Sequence, residues 1–132
     1  PPKEFPDEMI EQFREHATEK SILKEIIDDK NIILIAVENN KITSFITGHI
    51  TENKGSIEYL TGRNKTIKQS LLNEFIKQCK EKNIKTLFTD TFYCMNNYTF
   101  FKEEGFTYHS KEKITDNLDM LWFEKILVNK HS

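Results

Sequence analysis

The sequence is poor in the features that mark membrane-bound and disulfide-stabilised proteins. Two cysteines among 132 residues are too few for a disulfide scaffold. No run approaches the roughly 20 consecutive apolar residues of a transmembrane helix, and no charged-then-apolar signal accompanies the opening PPKEFPDEMI. We therefore expect a cytoplasmic protein with no membrane association, in which Cys79 and Cys94 are small buried hydrophobes.

The charge balance argues against a large anionic partner. Nineteen basic and 21 acidic residues give a net charge of -2, so no global positive field exists to hold nucleic acid or an anionic membrane. A chain of 15.7 kDa is the size of one domain, which we expect to span residues 1–132. Since the sequence starts with proline and not with Met, we expect a processed chain or part of a longer protein.

Apolar spacing predicts helices first and an antiparallel meander next. Residues 7–29 carry an apolar stripe at helical spacing, which indicates one or two N-terminal helices. The core is expected over residues 31–128 and begins with NIILIAVE, a short β-branched strand. Asn39-Asn40 suits a tight hairpin turn into KITSFITGHITE, and a second turn at residues 53–55 leads to the strand SIEYLT.

The period then changes from two to 3.6, which predicts a long helix from Thr66. Its apolar face is expected to contain Ile67, Leu71, Leu72, Phe75, Ile76 and Cys79, with Lys68, Asn73, Lys77 and Lys80 outside. IKTLFTDT follows as a strand with a parallel neighbour, and MNNYTFFKEEGF reads as a short helix ended by Gly105. FTYHS and LDMLWFEKIL are two further strand candidates joined by a charged loop. The order predicts one mixed α/β layer structure.

This order, with three local patterns, resembles the GNAT family of N-acetyltransferases. IAVENNKITSFITGHI looks like the family's hairpin, and RNKTIKQSLLNEFIKQCKEKNIKTLFTD has the spacing of its cofactor loop, long helix and next strand. YTFFKEEGFTY and DMLWFEKIL are similar to its "fYeklGF" segment and closing strand. The resemblance implies a GNAT-like fold, with a mixed central sheet, an antiparallel N-terminal meander and helices on both faces.

Family membership would imply binding of an acyl-CoA and transfer of its acyl group to an amine. In such enzymes the loop before the long helix holds the diphosphate of CoA with backbone N–H groups. The residues that the resemblance assigns to acetyl-CoA binding are Leu60, Thr61, Arg63, Asn64, Lys65, Thr66, Ile67, Lys68 and Phe101. N–H groups near Leu60 and Thr61 would polarise the thioester carbonyl.

The cofactor loop departs from the family pattern because Thr66 and Lys68 stand where glycines are expected. Thr66 and Gln69 have the spacing of a capping box, which would satisfy the first N–H groups of the helix internally. Arg63, Lys65 and Lys68 place three cations at the helix start, where they either replace part of the backbone cradle or form a solvated basic face.

The predicted base is Glu58, on the third strand, where some family members carry a glutamate base. Strand alternation would place Glu58 with Ser56 and Leu60 on one face; the alternative is a solvated glutamate. His49, on the preceding strand, is a second candidate base, or an ordinary surface residue. His16, His109 and His131 have no companions that suggest a metal site.

The acid position of the family is less well preserved. Phe101 replaces its tyrosine, so Tyr98, one helical turn earlier, is the substitute candidate acid, or a packing residue. Cys94 stands where the family often has asparagine and Asn97 where it often has alanine. Nothing near Cys94 in the sequence indicates the lowered pKa that an acyl-cysteine intermediate needs.

Three hypotheses follow. The leading one is an acyl-CoA-dependent N-acyltransferase, whose acceptor is the amine of a small molecule or of a protein. The alternative is a GNAT-fold module that has lost catalysis and serves in binding or regulation. A nucleic-acid module fits poorly, since the net charge is negative and Phe100 and Phe101 fall on a predicted helix. The family's first strand has no counterpart in PPKEFPDEM, so a longer parent supplies it, or the sheet edge is protected or used in a homodimer.

Overall fold

A computed structural model describes residues 21–62, 64–92 and 97–128. They form seven strands and two helices. The strands are β1 (Ser21–Ile27), β2 (Asn31–Glu38), β3 (Lys41–Thr51), β4 (Lys54–Thr61), β5 (Thr86–Phe92), β6 (Thr107–Thr115) and β7 (Leu118–Ile126). The helices are α1 (Lys65–Glu81) and α2 (Asn97–Glu103). The predicted mixed α/β architecture is confirmed.

The strands form one sheet in the order β1-β2-β3-β4-β5-β7-β6. Its first strand corrects the prediction of a helix up to residue 29, because Ser21–Ile27 pairs antiparallel with β2. The apolar spacing of SILKEII suits a helix and a strand equally, and the pairing with β2 decides between them. The rest of the predicted N-terminal helices, residues 7–20, and the PPKEFPDEM segment lie outside the described residues.

The predicted meander is confirmed. Asn39 and Asn40 have φ values of 50° and 64°, as a two-residue turn with two left-handed positions requires. The second turn is one residue earlier than predicted: Thr51 pairs with Lys54, and Glu52 takes the positive φ of 55°.

The helix α1 is confirmed and begins at Lys65, one residue before the predicted start. Its predicted apolar residues are buried, except that Ile76 is only partly buried. Phe75, fully buried, lies directly over Gly48: a Cβ atom added at Gly48 would lie 2.5 Å from the Phe75 Cζ. The absent side chain of Gly48 therefore makes room for the largest side chain of the helix.

After α1 the chain returns through β5, which pairs parallel with β4 as predicted. The helix α2 ends before Gly105, whose φ of 91° is the left-handed conformation expected of a glycine there. The charged loop predicted after residue 110 is wrong, because β6 continues to Thr115 and turns directly into β7.

The core lies between the sheet and both described helices. Phe75 of α1 and Phe101 of α2 belong to the same buried cluster as Leu34, Leu87 and Phe123 of the sheet. On the opposite face of β2, Ile35 and Val37 form a second, smaller cluster. No helix in the described ranges has the length and apolar character needed to cross a membrane.

Candidate active site

The candidate site begins where two neighbouring strands separate. β4 and β5 pair only from Lys54 with Thr86 to Ile57 with Thr89. β4 continues to Thr61 and β5 to Phe92, yet within the described residues they have no further pairing with each other. The last residues of β4 therefore present one row of backbone N–H and C=O groups to an opening and not to a strand.

A β-bulge lies at the point of separation. Thr47 pairs with Tyr59 and Gly48 with Ile57, so Glu58 is an extra residue without an opposite partner on β3. The bulge breaks the alternation that the sequence predicted: Ile57 and Leu60 are both buried, whereas Glu58 and Tyr59 are both exposed. The prediction that Glu58 shares a face with Leu60 is wrong for this reason.

The structure brings the two candidate bases together. The Nδ1 atom of His49 lies 3.5 Å from the Oε1 atom of Glu58, and their side chains are 46% and 48% exposed. At that exposure an ion pair adds little stability, so the pair does not serve mainly to hold the fold. The Glu58 carboxylate is therefore accessible from solvent, with the His49 imidazole beside it.

Asp90, which the sequence analysis did not single out, completes an acidic surface. It is the β5 residue directly after Thr89, where the pairing with β4 ends. Desolvation raises the pKa of Asp90, and the charges of Glu112 and Glu58 raise it further. The signal in TLFTDTF is a single carboxylate within a short strand of threonines and apolar residues. The charges of Asp90, Glu58 and Glu112 make this face electronegative.

The start of α1 differs from the predicted capping box. Asn64 is the N-cap, and its side chain accepts a hydrogen bond of 3.2 Å from the Ile67 N–H. Thr66 is instead an exposed residue of the first turn, and the Gln69 side chain donates to Glu104 Oε2. Ile67 is buried, so its side chain packs in the core. The remaining N–H groups of the first turn have no partner within the helix.

The three cations predicted at this helix start do not share one environment. Arg63 lies outside the described residues. Lys65 is exposed and forms an ion pair of 3.4 Å with Glu103. Lys68 was predicted on the solvated face and is instead buried, with 8% of its surface exposed, and this desolvation lowers its pKa. Its Nζ donates to Asn97 Oδ1 and lies 4.5 Å from the centre of the Phe100 ring.

Leu60, Thr61 and Gly62 form the rim of the opening. The Leu60 side chain is in the core, and its carbonyl accepts a 2.9 Å hydrogen bond from Asn97 Nδ2. Because the N–H and C=O of one strand residue point to the same side, the N–H of Leu60 also faces the opening. Thr61 is exposed and pairs with Phe45. Gly62 has a φ of 144°, and an added Cβ atom would lie 2.4 Å from Ser44 Oγ, so this position requires glycine.

The two aromatic candidates on α2 have different surroundings. Tyr98 is partly buried, with its ring 5.5 Å from that of Phe123 and 5.4 Å from Lys102 Nζ. Its role as an acid stays a prediction. Phe101 is 2% exposed and packs edge-on against Phe100 and Phe106. Its side chain therefore lies inside the core, and its assignment to the cofactor site stays a prediction.

A cavity of about 560 Å³ adjoins the loop that precedes α1. It is lined by Glu38, Thr43, Ser44, Thr61, Gly62 and Asn64. Its volume is in the range of small-molecule sites, and Thr61 and Asn64 are among the predicted cofactor residues. A hollow of about 430 Å³ on the outer side of α1 contains none of the candidate residues.

Other sequence candidates lie elsewhere. His109 packs against Phe88 with a centroid distance of 5.5 Å and contacts Ser110 Oγ. His16, His131 and Cys94 are outside the described residues. Within those residues no group of three His, Cys, Asp or Glu side chains is arranged to hold a metal ion. Cys79 is fully buried, and burial raises the pKa of its thiol to about 12.

Comparison with known proteins gives relatives by structure and not by sequence. No protein-family model matches the chain, and no curated protein matches it. A protein from Desulfovibrio desulfuricans assigned to the GNAT family of acetyltransferases superposes with a TM-score of 0.69, at 14% identity over 75% of this chain and 71% of that one. An acetyltransferase from Bacillus cereus superposes with a TM-score of 0.64, at 19% identity over 92% of this chain and 87% of that one.

A third similar structure carries a ligand. PaiA N-acetyltransferase from Thermoplasma acidophilum, in complex with coenzyme A, has a TM-score of 0.63 at 24% identity, over 74% of this chain and 61% of that one. These likenesses establish the fold: the chain has the fold of the GNAT acetyltransferases, as its sequence patterns predicted.

Proposed function

We propose that this protein is an acyl-CoA-dependent N-acyltransferase that acts in the cytoplasm and transfers an acetyl group from acetyl-CoA to an amine by direct attack. The observation that carries the proposal is the opening between β4 and β5 with the bulged Glu58 at its apex. In a GNAT fold this opening supplies the backbone edge along which a linear thioester arm can lie. The acceptor is the amine of a small molecule or of a protein.

The residues present fit such a cosubstrate. The C=O of Leu60 faces the opening and can accept a hydrogen bond from an amide of the arm, and the first turn of α1 offers N–H groups to the diphosphate. Exposed Lys65 and Thr66 lie at that turn. Gly62, whose missing side chain leaves the loop backbone uncovered, adjoins it. When bound, acetyl-CoA would supply the acyl group as a reactive thioester.

The protein side chains would handle the proton and the charge. The acidic surface of Glu58 and Asp90 attracts the protonated acceptor, and Glu58, next to His49, accepts the proton so that the neutral amine can attack. The N–H of Leu60 stabilises the charge that develops on the carbonyl oxygen. A strong acid is not needed, because releasing a thiol of pKa about 8.5 as thiolate at pH 7 costs only about 2 kcal/mol. The burial of Phe101 is therefore compatible with catalysis.

A second candidate function is favoured by specific contacts. Lys65 pairs with Glu103 and Lys68 with Asn97, so two of the cations expected to bind phosphate are occupied within the protein. A GNAT-fold module without catalysis, serving in binding or regulation or forming a homodimer through a sheet edge, would show the same contacts. The two functions differ in whether acetyl-CoA binds and in whether Glu58 matters to turnover.

Binding is tested by thermal shift with acetyl-CoA, CoA and ATP. Ligand at about 100 times its dissociation constant adds about 2.7 kcal/mol of stability, which raises the melting temperature by several degrees. A shift with acetyl-CoA and CoA but not with ATP is expected. No shift with millimolar acetyl-CoA would refute the acyltransferase and favour the non-catalytic module.

Turnover is tested by thiol release over a panel of amines, including polyamines and peptides with free α-amino groups. Glu58→Gln should lower kcat by about 10²–10⁴-fold, the usual contribution of a general base, with the affinity for acetyl-CoA unchanged. Glu81→Gln, at the exposed end of α1, is the matched control and should have wild-type activity. Equal activity of the two variants would exclude Glu58 as the base.

A further inference from the structure

Two departures from the GNAT sequence pattern contact each other in the structure. Lys68 stands where the family pattern has a glycine or alanine, and Asn97 stands where it often has alanine. The two are 29 positions apart, yet Lys68 Nζ donates a hydrogen bond to Asn97 Oδ1. The stem of Lys68 passes the loop, since a Cβ atom added at Gly62 would lie 3.3 Å from Lys68 Cγ. The lysine thus runs from the loop before α1 to the first residue of α2.

The other end of Asn97 closes the opening. Its Nδ2 donates to the Leu60 carbonyl, which faces the opening at the end of β4. With Oδ1 held by Lys68, the amide of Asn97 is fixed in the orientation that directs its N–H groups toward Leu60. Asn97 therefore occupies the backbone acceptor that an amide of an entering thioester arm would need.

Resting on the proposed function, we infer that Lys68 and Asn97 form a strap, a chain of two hydrogen bonds that closes the opening between β4 and β5. Acyl-CoA enters the opening by displacing this strap. The arm takes the Leu60 carbonyl from Asn97, Asn97 turns away, and Lys68 leaves its buried position beside Phe100. The ammonium then reaches the start of its own helix, where the diphosphate would lie. The same lysine that closes the empty site becomes a ligand of the occupied one.

The electrostatics favour this exchange. In the closed position the ammonium has a neutral amide and an aromatic ring as partners and is largely removed from water, which lowers the Lys68 pKa. A diphosphate offers full negative charge at a more accessible position, so displacement exchanges a weaker partner for a stronger one. The apparent affinity for CoA is reduced by the fraction of molecules in which the strap is closed.

The closed strap is tested first without ligand. An amine-reactive acylating reagent followed by mass spectrometry should label Lys68 much more slowly than exposed Lys77 in the wild-type protein. In Asn97→Ala the labelling of Lys68 should rise, while that of Lys77 stays constant. The variant should remain folded, because Phe75 of α1 and Phe100 and Phe101 of α2 still pack in the same buried cluster. Lys68 labelled as fast as Lys77 in the wild type would refute the strap.

The displacement is tested by calorimetry with CoA and with pantetheine, which lacks the diphosphate. Asn97→Ala should bind both about fivefold more tightly, the factor of one ordinary intramolecular hydrogen bond, because the opening is no longer occupied. Lys68→Met should bind CoA more weakly than Asn97→Ala does, with no such difference for pantetheine. Asn73→Ala and Lys77→Met, on the exposed side of α1, are the matched controls and should bind as the wild type does.

The possible failures are distinguishable. If the wild type binds CoA and Asn97→Ala binds it no more tightly, the strap inference is wrong and the proposed function stands. If neither protein binds CoA although Lys68 becomes reactive in Asn97→Ala, the proposed function is wrong and the inference falls with it.

Discussion

Gly48 provides a quantitative test of how the core supports the candidate site. In Gly48→Ala the new methyl carbon would lie 2.3 Å from the Ser56 carbonyl oxygen and 2.5 Å from the Phe75 Cζ. Both are far inside van der Waals contact, and one neighbour is backbone, so the strand must move. Overpacking of this kind costs about 1–3 kcal/mol, and we expect about 3 kcal/mol here because two neighbours clash.

Gly55→Ala is the matched control on the neighbouring strand. Its added carbon would meet Leu87 Cδ1 at 3.2 Å and Cys79 Sγ and Ile84 Cγ2 at 3.5 Å, so a small side-chain adjustment suffices. We expect the free energy of unfolding to change by less than about 1 kcal/mol, because alanine reduces the backbone freedom of the unfolded chain and so offsets part of the strain.

Urea denaturation and thermal melting measure both variants. A loss of about 3 kcal/mol should lower the melting temperature of Gly48→Ala by about 10 °C for a domain of this size. Phe75→Leu should cost less in the Gly48→Ala background than in the wild type, because it relieves one of the two clashes. A Gly48→Ala variant as stable as Gly55→Ala would refute the packing argument.

Two predictions concern groups whose pKa the fold raises, the partly buried Asp90 and the buried Cys79. Desolvation and the charges of Glu112 and Glu58 raise the pKa of Asp90 above 3.8, so the folded protein binds the proton more tightly than the unfolded chain. Wild-type stability should therefore fall as the pH rises from the pKa of Asp90 in the unfolded chain through its higher pKa in the folded protein. Asp90→Asn should be more stable than the wild type at pH 7 and should lose this advantage near pH 3. If denaturation shows the same difference in stability at both pH values, the raised pKa of Asp90 is contradicted. Burial raises the pKa of the Cys79 thiol to about 12. In a Cys94→Ala background, a disulfide reagent at pH 8 should therefore label Cys79 only after denaturant is added. Labelling of the native protein at the rate of a free thiol would disprove the burial of Cys79.

The elements that the sequence predicted well have a local cause. The helix α1 shows an apolar stripe over 17 residues, and the turn at Asn39-Asn40 depends on two residues that tolerate positive φ. β1 was missed because seven residues of mixed apolar spacing suit either structure until a partner strand is known.

The candidate site was less predictable because its decisive contacts are long-range. The bulge at Glu58 has no sequence signature and arises from the pairing of β4 with β3. The burial of Lys68 depends on Asn97, which is distant in the chain. Glu58 and His49 were both identified from the sequence, but only the sheet register shows that they are neighbours.

The short ladder between β4 and β5 also has a consequence for the order of folding. β1 to β4 are joined by tight turns, as are β6 and β7, so these pairs form from contacts that are local in the chain. The ladder from Lys54–Thr86 to Ile57–Thr89 closes a loop of about 30 residues that includes α1, and it must offset that entropy with only four paired positions. We therefore expect β1 to β4 and the β6–β7 hairpin to form early, and β5 to join β7 over seven paired positions before it joins β4 over four. The separation that opens the candidate site is thus also the last boundary that the folding chain closes.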